Sequence, residues 1–293
     1  MNRDRTPIAI FLHIPKTAGS TLRTIVYRQY PPEAVCKFYD PQDNHRKSRE
    51  ALIERLKTSD PPPRLVIGHM GFGIHECLDR PFSYFTILRD PIDRAISTYY
   101  FIRRYSPHPL HAQSHQQSLD EFVRSHETVD NSMTRFLSGV KYDSQLSQRQ
   151  LVPPGQCSRE MLDRAKQNLN QYCTVVGLVE RFDESLLLLK QAFGWDNIYY
   201  ISENVSQNRP RRKEISAAIL RQVELANELD LELYQYGKSL FNAQIERQER
   251  DFELRLRAFE LLNQGYQIYH PLRQQIGDRV RTFLRRIKNR VKY

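Results

Sequence analysis

At 293 residues the chain can bury a large core, and its 44 Lys and Arg against 34 Asp and Glu leave a net charge of +10 that points to an anionic ligand, an acidic polymer or a membrane surface. Cys36, Cys77, Cys157 and Cys173 are far apart with no CxxC pair, which excludes a cysteine zinc site and a dense disulfide framework. No apolar run reaches the length of a bilayer span and no basic-then-apolar leader begins the sequence, so a cytoplasmic, reducing setting is expected.

Ile8 to Leu12 form a short continuous apolar run after Pro7, the pattern of a strand buried on both faces. The segment HIPKTAGST follows, and then Leu22, Ile25 and Val26 recur at helical spacing. Strand, small-residue turn and helix in that order aim the free N–H groups of the first helical turn at the turn itself. Lys16, Thr17, Gly19, Ser20 and Thr21 supply an ammonium and hydroxyls there, a chemistry suited to phosphate or sulfate. The same residues also read as a plain turn plus helix cap. The Walker pattern GxxxxGK[ST] is absent, since Lys16 precedes its only nearby glycine.

Residues 30 to 63 read as a Pro31-Pro32 turn, a polar loop, a helix from about Asn44 to Lys57 and the breaker Pro61-Pro62-Pro63. Leu65, Val66 and Ile67 form a second strand running into the glycine-rich GHMGFG, so His69 stands at a strand end. Ligands of open α/β sheets bind past the carboxyl ends of the strands, which puts His69 and Lys16 on one edge. Tyr84 to Leu88 is a third strand, with Asp90 as cap and Pro91 as first residue of the next helix. Arg89 leaves that strand and Ser97 lies two turns into the helix, so both can approach one anion; an ion pair of Arg89 with Asp90 or Asp93 is the structural alternative.

From 105 to 160 the chain is polar and broken by prolines, which predicts loops and short helices, with His108, His111 and His115 in a solvated loop rather than a metal site. Val175 to Val179 is predicted as a strand, Phe182 to Phe193 as a helix and Ile198 to Ile201 as another strand. Arg209, Arg211, Arg212 and Lys213 could close over a bound anion but read first as a solvated charge run, and they are left out of the expected site. From Glu214 onward the pattern is helical. Ile245, Phe252 and Phe259 fall seven apart, a seam for the domain or for a second subunit. The tail 272–293 alternates an apolar face (Leu272, Ile276, Val280, Phe283) with crowded Arg and Lys, as in a helix that lies on an anionic membrane surface, guides an acidic polymer or docks against the core.

The order Pro-Lys-Thr-x-Gly-Ser-Thr resembles the 5′-phosphosulfate loop of the sulfotransferases, and HIPKTAGST is similar to the form in the heparan sulfate 2-O-sulfotransferase-like branch. RDPIDRAIS, with Arg89 and Ser97 eight apart, resembles the family's 3′-phosphate motif. Gly68-His69, NSMTRFLSG (131–139) and NELDLELYQYGKSLF (227–241) extend the resemblance over about residues 8 to 241. It implies a P-loop-like α/β fold with a central parallel sheet flanked by helices over 1–241; the residue pattern itself adds a helical C-terminal extension over 242–293. It also implies 3′-phosphoadenosine 5′-phosphosulfate (PAPS) as donor, no metal, and a carbohydrate or glycolipid hydroxyl as acceptor. By position, Lys16, Thr17, Gly19, Ser20 and Thr21 would hold the phosphosulfate, Arg89 and Ser97 the 3′-phosphate, and His69 would be the base, with Lys16 neutralising the leaving oxygen. His13 stands where well-known animal members carry arginine, and His13, His75 and Glu76 are rival bases. The competing functions are a P-loop kinase, disfavoured by the missing Walker pattern, and a nonenzymatic module binding acidic polysaccharide. No nucleic acid partner is expected, and the oligomeric state stays open.

Overall fold

The structure is a computed structural model, and it describes residues 6–39, 49–60, 62–126, 128–139, 152–202 and 209–270. Among the described residues five parallel strands form one sheet: β1 (Ile8–Leu12), β2 (Val35–Phe38), β3 (Leu65–Gly68), β4 (Phe82–Leu88) and β5 (Cys173–Leu178), in the order β2-β3-β1-β4-β5. β1 is central, with Ile10 opposite Val66 on one side and Tyr84 on the other. Its residues are almost completely buried, as the uninterrupted apolar run predicts, and each large side chain contributes about 1.5–3 kcal/mol of burial.

Helices flank the sheet. α1 (Gly19–Val26) follows β1, α2 (Arg49–Thr58) leads into β3, and α3 (Pro91–Arg104) follows β4. Asp90 caps α3 as expected, its Oδ1 accepting from the N–H groups of Ile92 and Asp93 at 3.0 Å with Pro91 at the first helical position. Three short helices come next, α4 (His111–Gln116), α5 (Leu119–Ser125) and α6 (Ser132–Leu137), then α7 (Arg159–Tyr172) before β5. α8 (Phe182–Phe193), α9 (Ala217–Leu225) and α10 (Glu228–Glu246) follow β5. Ile92, Ile96 and Tyr99 of α3 pack with Phe122 and Val123 of α5 and Val223 of α9 in a second apolar cluster beside the main core.

Several expectations are corrected. β2 replaces part of the expected polar loop: Val35, Cys36 and Phe38 face inward with only Lys37 exposed, and β3 provides the partner. The predicted helix at 44–57 is seen as α2; residues 44–48 lie outside the described residues. Ile198 to Ile201 is not a strand. Its Tyr200 N–H donates instead to Oδ1 of Asn263 at 2.8 Å, in a closing helix over 252–270. That helix settles the seam: Phe252 and Phe259 are buried in the main core, and Phe259 stacks on Tyr199 at 5.6 Å. Its other face leaves Leu254, Leu261, Leu262 and Ile268 exposed. α10 spans the expected start of the helical extension at residue 242. The basic tail 272–293 lies outside the described residues.

Candidate active site

The loop from His13 to Ala18 joins β1 to α1 at the carboxyl edge of the sheet. Two of its residues, Lys16 (φ 70°) and Ala18 (φ 59°), adopt the left-handed conformation that non-glycine residues rarely take, at a cost of order 1–3 kcal/mol each. Strain of that kind clusters at functional loops. Thr17 is buried and its hydroxyl donates to the Ile14 carbonyl at 2.8 Å, so that side chain fastens the loop rather than reaching outward. Ser20 and Thr21 fall in the first turn of α1, Ser20 partly exposed and Thr21 buried. Gly19 begins α1 because nothing larger fits: a Cβ there would lie 1.4 Å from Nε2 of His13.

Arg89 and Lys16, 73 residues apart, meet. Nη1 of Arg89 donates to the Lys16 carbonyl at 3.1 Å. The Lys16 ammonium rests 4.0 Å from the ring centroid of Phe101. Burial and then Arg89, Arg104 and Arg209 push Lys16 down to about 8. Ser97 is buried on α3 four residues before Phe101, and therefore on the same helical face. Arg209, which the charge run hides in the sequence, donates to the Asp93 carbonyl at 3.1 Å and, after burial itself, is the main cation lowering Arg89. Arg212 lies 3.6 Å from Asp90. No composition signal separates these two from their exposed neighbours; the fold alone brings Arg209 beside Arg89.

His69 follows β3 directly. Its ring is partly exposed, its N–H donates to the Phe38 carbonyl at 2.8 Å, and its Nδ1 lies 2.8 Å from the His13 carbonyl. A carbonyl can only accept, so Nδ1 carries the proton, and in the neutral ring Nε2 is left as a lone pair. Burial pushes His69 down to about 4, with Arg23 and Lys16 acting the same way against the favourable bond to His13. Gly68 allows the close approach of β2, since a Cβ there would meet the Phe38 carbonyl oxygen at 1.9 Å.

The rival base His75 sits among Phe72, Phe82, Tyr84 and Tyr172, with Nδ1 3.0 Å from the Tyr84 hydroxyl, which makes it a packing residue. Glu76 belongs to the same turn. His111 and His115 donate to the carbonyls of Ile102 and Arg103, closing the end of α3. NSMTRFLSG and the closing α10 segment serve each other: Asp230 accepts from the N–H groups of Met133 and Thr134. Arg135 forms a buried ion pair with Asp130.

Together the parallel sheet, the strained loop and the cation cluster at its carboxyl edge define an α/β protein built to hold an anion. The chain belongs to the galactose-3-O-sulfotransferase family, whose family model matches residues 2–267. It is 27% identical over 312 residues to chicken heparan-sulfate 6-O-sulfotransferase 2, with 88% of this chain and 76% of that protein covered. It is 25% identical over 252 residues to human galactose-3-O-sulfotransferase 3 (82% and 57% covered) and 24% identical over 249 residues to mouse galactosylceramide sulfotransferase (81% and 57% covered). The chain thus spans little more than half the length of the last two. Among solved structures, mouse sulfotransferase SULT7A1 complexed with PAP overlaps 78% of this chain and 65% of its own at 13% identity, with a TM-score of 0.38. The expected carbohydrate sulfotransferase family is therefore met; these relatives are named for 3-O and 6-O transfer, not for the expected 2-O branch.

Proposed function

We propose that this chain moves a sulfuryl group from PAPS to a hydroxyl of a carbohydrate, free or carried on a lipid. The observation that carries the reading is the bond from Arg89 to the Lys16 carbonyl, which joins both sequence motifs in one cation cluster. Among the described residues no salt bridge to Lys16 competes for it. The first turn of α1 and Lys16, Gly19, Ser20 and Thr21 receive the phosphosulfate, with Thr17 contributing through its backbone because its hydroxyl is taken by Ile14. Arg89 and Ser97 take the 3′-phosphate, and Arg209 adds its charge. Among the relatives, names for 3-O and 6-O transfer and for a galactosylceramide acceptor support a sugar hydroxyl.

In the transfer, the acceptor oxygen bonds to sulfur while its proton passes to Nε2 of His69, the free nitrogen of the ring. The bond from sulfur to the bridging oxygen breaks, and its electron pair leaves on the 5′-phosphate, where the Lys16 ammonium neutralises it. The protein's contribution is alignment and charge, which is what a group transfer of this kind requires.

Calorimetry with adenosine 3′,5′-bisphosphate and ATP, followed by transfer of labelled sulfur from PAPS to a panel of glycans and glycolipids, tests the reading. Preferred binding of the bisphosphate and a sulfated product are expected. Tight ATP binding with phosphoryl transfer would make the protein a kinase, and polysaccharide binding with neither nucleotide would make it a noncatalytic module. The reading includes an anionic membrane as partner of residues 272–293. Cutting the chain after Tyr269 should then lower cosedimentation with phosphatidylserine vesicles at low salt and leave bisphosphate binding intact; unchanged sedimentation would remove the membrane.

A further inference from the structure

We propose that His13 is a positioning residue for His69: its carbonyl sets the tautomer of the base, and its ring, seated on Gly19, fixes how far the base stands from the first turn of α1. The inference rests on the sulfuryl-transfer reading above.

His13 is only 6% exposed and is held on all sides. Its ring stacks on Phe11 at 5.2 Å and 14°, lies 4.3 Å from the His69 ring, and fills the side-chain space of Gly19. Nδ1 lies 3.3 Å from the Tyr39 hydroxyl, and the Tyr39 ring meets both imidazoles edge-on, at 5.8 Å and 5.2 Å. The Arg23 guanidinium sits 5.4 Å over that same tyrosine. A ring so enclosed cannot reach an acceptor, so His13 is excluded as the base. It stands instead between the base and the loop, and any shift of His13 moves both.

Its charge state suits that place. Burial first, then His69, Arg23 and Lys16, hold His13 well below the ordinary histidine range. When His69 takes the acceptor proton, the neighbouring imidazole stays neutral and does not repel the new charge. The side chain of residue 19 and the ring of residue 13 are mutually exclusive, so Gly19→Ala should displace the ring and act like a change at His13.

The test combines kinetics with a measurement that needs no turnover. His13→Ala should lower kcat tenfold or more with the Kd for adenosine 3′,5′-bisphosphate changed less than twofold, and His13→Phe, which refills the space, should recover most of the loss. In a His69→Ala background His13→Ala should have no further effect, because a residue acting through another becomes silent once that one is gone. Nitrogen-15 shifts of the His69 imidazole should report Nδ1–H in the native protein and loss of that single tautomer in Gly19→Ala. An equal kcat loss in both backgrounds, or a native Nε2–H tautomer, overturns the proposal. A chain with the Nδ1–H tautomer and no sulfuryl transfer to any acceptor would instead sink the proposed function and leave the positioning geometry standing.

Discussion

Asn131 and Asp230 cap each other's helices. Oδ1 of Asn131 accepts from the N–H groups of Leu229 and Asp230 at the start of α10, while the Asp230 carboxylate accepts from Met133 and Thr134 at the start of α6. Asn131 takes a left-handed backbone (φ 44°) to do so. Two family-like segments nearly a hundred residues apart are thus a mutual clasp. Asn131→Ala should cost about 2 kcal/mol in urea unfolding, the sum expected of a lost cap and its buried bonds, with bisphosphate affinity unchanged in the folded protein. A weaker Kd without loss of stability would give Asn131 a direct ligand role.

Lys16 predicts a pH dependence of donor binding. Its free-enzyme value of about 8 should rise when anionic donor arrives, so binding takes up a proton above pH 8. Bisphosphate affinity should fall by up to tenfold for each pH unit above about 8. Calorimetry in buffers of different ionisation enthalpy reads the proton uptake, and Lys16→Arg should abolish the decline over that range.

His69 predicts a separation of two acid limbs. The limb of kcat/KM reports the free enzyme, where His69 stands at about 4, whereas kcat reports the donor complex, where bound anions raise it. The kcat limb should therefore lie at the higher pH, and His69→Ala should lower kcat about a hundredfold. Coincident limbs would take His69 out of the charge field of the donor.

Stability should follow the same residue. The folded value near 4 lies below the unfolded value near 6.5, so the unfolded chain binds more protons between them. Stability is full above about pH 6.5 and falls as pH drops toward 4, by up to about 3 kcal/mol from His69. Buried His13 acts in the same direction. Urea midpoints at pH 7.5 and 5 should differ accordingly, and less so in His69→Ala.

Arg89→Ala should weaken adenosine 3′,5′-bisphosphate binding by about 1.5–3 kcal/mol. Because Arg89 also holds the Lys16 carbonyl, adenosine 5′-phosphate should lose affinity too, by a smaller amount. With Arg89 assigned to the 3′-phosphate alone, as the sequence suggests, binding of the monophosphate would stay almost unchanged. Equal losses for both ligands would remove the 3′-phosphate from Arg89.

The parts of the fold that were legible depend on local chemistry. The apolar run of β1, the Asp90-Pro91 start of α3 and the Phe182–Phe193 helix each carry their pattern within a few residues. β2 was hidden because four residues with one exposed lysine mean little until β3 lies beside them. Ile198 to Ile201 misled for the opposite reason, since an apolar run became an irregular segment held by a side chain from the closing helix. The placement of Lys16 and His69 past strand ends on one edge followed from the strand-turn pattern of the sequence. Arg209 and the ring of His13 did not, because their significance lies in neighbours distant in sequence.

The position of β1 has a consequence for biosynthesis. It precedes β3 and β4 in the chain yet ends between them, so one edge stays unpaired until residue 68 has been made and the other until residue 85 has been made. At roughly 5–20 residues per second the longer interval is about 4–15 s. A short, wholly apolar strand with both edges open is the kind of segment that pairs with other chains. Holding Ile8 to Leu12 apart during that wait, by slow expression at low temperature or by a chaperone that grips extended apolar segments, should raise the yield of folded protein.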